Sequence, residues 1–140
     1  MPDAVAEIAY GWPNNYVEHL TQQVMAKLGV TEAVTCSNGL AHRPTELWSA
    51  TNQGLAHLVT TGDYDSVDVT MTPWPEVRGV EVVAKVSDAS PYPTATLKVA
   101  CVRLELEVAP PSSMGGSRAQ QWPFVQAVMA YVRDIGRYYD

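Results

Sequence analysis

The sequence predicts an α+β domain in two layers, a mainly antiparallel sheet of three to five strands packed by about three helices. Three observations carry that prediction. Apolar and polar residues alternate in the second half of the chain, helical spacing with capping residues marks the early and the last segments, and strands cluster instead of alternating with helices. The order reads strand, helix, possible strand, helix, three strands, helix. At 140 residues the chain has the size of a single domain. Residues 1–140 are read as one α+β domain, with a flexible loop at 109–117 before a C-terminal helix.

Ala4 to Tyr10, AVAEIAY, reads as a short strand closed by Gly11 and Pro13. In NNYVEHLTQQVMAKLG, residues Tyr16, Val17, Leu20, Val24 and Leu28 recur at helical spacing; Asn15 is placed to cap, Glu18 to reach back, and Gly29 to stop the helix. VTEAVTC is β-branched and reads as a possible strand, followed by a loop, SNGLAHRP. Pro44 suits a first helical turn. Leu47, Trp48, Thr51, Leu55, Leu58 and Val59 then mark one side of a second helix ended by Gly62, with Trp48 in the core and His57 opposite it in water.

Three strands are expected next. DSVDVTMT alternates Val67, Val69 and Met71 with Asp68, Thr70 and Thr72, the period of a sheet with one wet face. PWPE breaks the ladder because proline lacks an amide donor. GVEVVAKV resumes it with Val80, Val82, Ala84 and Val86 on one face, and ASPYP turns the chain. The third stretch, ATLKVACVRLELEVA, is the most informative. Leu97, Val99 and Cys101 share one parity, whereas Val102, Leu104, Leu106 and Val108 share the other, opposed by Arg103, Glu105 and Glu107. A regular strand with one buried face cannot satisfy both halves, since a slip of one residue turns every side chain over. A bulge at 100–102 restores the facing and is the commoner device; the alternative is a strand that outruns its domain and faces another body. PPSSMGGS reads as a loop, and Pro123 opens a last helix with the stripe Phe124, Val125, Val128, Val132 and Ile135. Arg133 and Arg137 suit the negative end of its dipole.

Composition and spacing argue against several kinds of chemistry. A net charge of -6 with scattered bases repels phosphate backbones and anionic lipid, so neither nucleic acid nor membrane is expected as a partner. His19, His42 and His57 stand apart and no C-x-x-C or H-x-x-x-H spacing occurs, so no metal or cofactor is expected. Cys36 and Cys101 read as buried thiols, with a thiolate pair of Cys36 and His42 the weaker alternative. GGSRA lacks the G-x-S-x-G elbow, SMGGSR lacks a Walker lysine, and Asp63, Asp65 and Asp68 lack the glycine and glutamate of a calcium loop. The N-terminus carries acids where a secretory signal carries bases, and no run approaches the roughly 18 apolar residues of a membrane span. A cytoplasmic location, or a place in a virion, is the expectation.

What is left points to contact, and away from catalysis. The expected function is a non-enzymatic structural or assembly subunit that binds copies of itself, such as a ring-forming neck or tail-end component of a phage-like particle. The expected interface residues are Arg103, Glu105 and Glu107 on the long strand, the proline-flanked Trp74 and Trp122, and the terminal Tyr138 and Tyr139. Arg103 is expected to meet an acid of an adjacent chain. An acidic binding partner, such as a secretion chaperone or toxin-immunity protein, is the second reading, because acidic surfaces steer toward basic ones. A small enzyme with an apolar pocket between sheet and helices is the third.

Overall fold

The computed structural model describes residues 8, 10–37, 45–77, 80–87, 90–99, 104–108 and 121–139. The α+β class holds. The elements are α1 (Asn15–Lys27), β1 (Ala33–Cys36), β2 (Glu46–Thr51), β3 (Gly54–Thr60), β4 (Val67–Thr72), a 3-10 turn (Trp74–Glu76), β5 (Val80–Ser87), β6 (Ser90–Val99), β7 (Leu104–Val108) and α2 (Gln121–Tyr139). The strands make two antiparallel meanders, β1-β2-β3-β4 and β5-β6-β7. The strand expected at 4–10, apart from Ile8 and Tyr10, and the loop expected at 109–117 lie outside the described residues.

Helix α1 forms where its spacing predicts, but its cap is Asn14 and not Asn15. The Asn14 side chain accepts from the amides of Tyr16 at 2.7 Å and Val17 at 3.4 Å, which satisfies donors that have no partner within the helix. Glu18 reaches further back than a capping box requires. Its carboxylate accepts from the amides of Tyr10 and, at 3.1 Å, of Trp12, and Gln22 donates to the carbonyl of Ile8 at 2.8 Å. The N-terminal segment is thereby tied along the helix. Val17, Thr21 and Met25 are its buried face; Thr21 belongs there because its hydroxyl donates to the Val17 carbonyl and accepts the Trp12 indole N–H, both at 2.9 Å.

The second expected helix is instead the β2–β3 hairpin, so the described residues hold two α-helices where about three were expected. The reason lies in burial. Every residue of β2 after Glu46 is buried, so both parities carry core residues and the strand loses the alternation that would identify it. Leu47, Ser49 and Thr51 face one way, Trp48 and Ala50 the other. The turn is Asn52–Gln53, closed by Thr51, whose hydroxyl accepts from the amides of Gln53 and Gly54, each at 3.1 Å. Gly54 has φ +153°, and a Cβ there would stand 2.3 Å from the Thr72 carbonyl oxygen on β4, so only glycine lets the third strand pass this close to the fourth. The turn is also latched to the end of α1, since Asn52 accepts from the Thr31 amide at 2.8 Å and Gln53 donates to the Gly29 carbonyl at 3.0 Å.

The two helices lie on opposite faces of the four-stranded sheet, which makes this part three layers instead of the expected two. On one face, Leu47, Ala56 and Leu58 pack with Val17 and Met25 of α1 and with Tyr10, Trp12 and Tyr64. On the other, Cys36, Trp48, Ala50 and Leu55 pack with Phe124, Val125 and Val128 of α2, and with Trp74 and Val77 from the 3-10 turn. Tyr131 of α2 stacks on Trp74, ring centres 5.0 Å apart, and the Trp74 indole N–H donates to the Thr51 carbonyl at 2.7 Å.

The long third strand resolves into neither a bulge nor an overhang. It is two strands, β6 and β7, paired antiparallel in the register Ala95↔Val108, Thr96↔Glu107, Leu97↔Leu106 and Lys98↔Glu105. Each pair joins an odd to an even position, so the switch of parity along the sequence becomes one continuous face in the hairpin. Strand β5 adds to it through Val80↔Val99, Val82↔Leu97 and Ala84↔Ala95. The prolines of ASPYP also fall inside β6, not in a turn; Pro91 and Pro93 sit beyond the β7 pairing and beside the register shift between Lys85 and Ser87, where a missing amide donor costs least.

Candidate functional site

Two surfaces are set apart by what the helices leave uncovered. The first is the three-stranded sheet. Within the described residues β5, β6 and β7 have one another as principal neighbours, whereas α1 lies against β4 and α2 against β1, β2 and the 3-10 turn. Val80, at the start of β5, joins the core beneath α2. The register places three apolar positions per strand on one face, and on the other it sets Lys98 directly between Glu81 and Glu105. Opposite charges at directly paired positions favour this register.

The second surface is the end of the α2-side face of the four-stranded sheet, beyond Leu55 and Trp48. Trp48 pairs with His57 and His57 with Thr70; the next row along is Glu46, Val59 and Asp68. Trp48 is buried under α2, and the His57 ring stacks on it at 4.0 Å with 14° between planes. Glu46 holds both residues, accepting from the Trp48 indole N–H at 3.2 Å and standing 3.3 Å from His57 Nε2. The latter is a charge contact without hydrogen-bond alignment. His57 is thus on a strand and half-buried, where a solvated helical position was expected. Beyond it Glu46, Val59, Asp68 and Thr70 are exposed. Residues 45–77 contain Glu46, Asp63, Asp65, Asp68 and Glu76 and no lysine or arginine, and all five acids are exposed.

Those expected interface residues that lie in described elements are on β7, the 3-10 turn and α2. Glu105 and Glu107 are on β7, opposite Lys98 and Thr96. Trp74 is 4% exposed and serves the chain's own core. Trp122 is half-buried beside the same core. Tyr138 and Tyr139 occupy the last turn of α2, their side chains lying outside the described residues, as Arg103 does altogether. Glu46, His57, Val59, Asp68 and Thr70 escaped sequence reasoning because three of them sat in a segment read as helix. The run of five acids without a base was the signal that could have flagged them.

Reactive groups are quiet. Burial pushes the Cys36 thiol well up and disfavours its thiolate; His42 lies outside the described residues. Burial, a hydrogen bond to Glu32 and that carboxylate's charge raise the Tyr131 hydroxyl. Among the described residues no three histidine, cysteine or carboxylate side chains gather in a way that could hold a metal ion, and no helix is long and apolar enough to cross a membrane. No family model matches the chain, and no curated protein or solved structure matches it either.

Proposed function

We propose that the protein is a non-enzymatic assembly subunit that works through contacts with other copies of itself, as components of a ring-forming neck or tail end do. The supporting observation is the hairpin register of β5, β6 and β7: it gathers apolar positions on one face of a sheet, while both helices pack on the other sheet. A three-stranded sheet with one apolar face needs a covering layer to be stable. A neighbouring copy supplies it, and a head-to-tail contact of this kind closes into a ring when the rotation allows. Light scattering across a concentration series tests the reading. The full chain is expected to assemble, and Leu106→Glu to abolish the larger assembly while leaving the circular dichroism of the fold unchanged. A chain that stays monomeric at every concentration would overturn it.

A further inference from the structure

We infer that the uncovered β3–β4 half of the four-stranded sheet is the seat of helix α2 from a second copy, in a two-fold dimer. Neighbouring strands lie about 4.8 Å apart and packed helices about 8–10 Å apart, so one helix covers roughly two strands. A face of four strands has room for two helices. Helix α2 occupies the β1–β2 half and its core takes in Leu55 of β3, while the end of the β3–β4 half beyond Leu55 carries Val59, 37% exposed, between Glu46 and Asp68.

The chemistry of the missing helix follows from that half. It must offer an apolar residue to Val59 and positive charge to Asp68 and Glu46, because 45–77 holds no lysine or arginine and its one histidine, His57, stands beside Glu46 alone. The outward row of α2 has these properties. Gln126, Met129 and Arg133 are exposed at helical spacing, Met129 at 48%, and Arg137 follows one turn on. Among the described residues Arg133 makes a 3.8 Å contact with its exposed neighbour Asp134. Its inward row, Phe124, Val125 and Val128, is already spent on its own sheet. Two copies related by a two-fold axis therefore place sheet over sheet with both α2 helices in the layer between. Each helix covers the β1–β2 half of its own chain with one side and the β3–β4 half of the partner with the other. The contact is self-complementary, as a two-fold interface requires, and Met129 meets Val59 while Arg133 meets Asp68 and Glu46.

This inference rests on the chain being a self-associating subunit but does not use the three-stranded sheet. Sedimentation of the full chain and of two charge reversals, Asp68→Arg and Arg133→Asp, tests it. Both positions are exposed, so each variant is expected to keep the wild-type melt and to weaken dimerisation about tenfold or more. Mixing the two variants is expected to restore the dimer, because in the mixed pair both contacts carry opposite charges again. Dimerisation that persists in both variants and is lost in Leu106→Glu would defeat the sheet–helix contact and leave the assembly reading standing. Failure of the mixture to recover would also defeat it, and a monomeric wild type would remove both.

Discussion

The two meanders of this chain solve the same problem in opposite ways. In the four-stranded sheet the central strand β2 is buried on both faces after Glu46, with α1 below and α2 above, so its stability comes from the chain's own helices. In the three-stranded sheet the register gathers apolar positions of all three strands on one face and leaves the other mainly polar, Val83 being the exception, and neither helix is a principal neighbour of it. Where both parities carry core residues, as in β2, the chain covers the strand from both sides. The difference makes the first sheet the folding core and is the ground on which a contact is proposed for the second.

Substitutions can break this contrast, and the largest effects belong to the body. Phe124→Ala removes a fully buried ring between α2 and the sheet and is expected to cost about 3–5 kcal/mol in chemical denaturation; a loss under about 1 kcal/mol would mean that α2 is not integral to the core. Gly54→Ala drives a methyl group into the Thr72 carbonyl and is expected to cost roughly 2 kcal/mol or more, read as a fall in melting temperature. Alkaline pH attacks the α1 side next. Burial, and then the charge of Glu18, push the Tyr10 hydroxyl from 10.0 up to about 12. The neutral hydroxyl is the form the fold favours, so its contribution is complete below pH 10.0 and is lost as pH rises toward about 12. Tyr10→Phe should flatten that alkaline limb in pH-dependent melts. Asn14→Ala, which loses the α1 cap, is the smallest, about 1 kcal/mol. Leu106→Glu should contrast with all of these by changing association far more than the melt.

The fold was legible in the sequence wherever one face of an element is wet. Helix α1, the alternation of β4 and the stripe of α2 fall within a few residues of their expected places. Reading failed where covering was complete or where the turn was unmarked. Leu47, Trp48, Leu55 and Leu58 satisfy helical spacing only because β2 and β3 are packed from both sides, and Asn52 with Gly54 was the turn signal that spacing overrode. Between Val99 and Leu104 the sequence is ACVR, without glycine, proline or asparagine, so nothing local announces that the chain reverses. The change of parity was the signal, and a hairpin explains it more simply than a bulge. The bare half-sheet was illegible for another reason: its residues come from three strands and become neighbours only through register.

The position of α2 in the chain has a consequence for biogenesis. The strands of the four-stranded sheet pair with neighbours close in sequence and can form early, since local contacts close cheaply. The helix that seals Trp48 and Cys36 follows them by more than 70 residues. While the protein is being made, the sheet face that carries Trp48 and Cys36 therefore waits in water until residues 121–139 have emerged, and during that interval it is a target for chaperones.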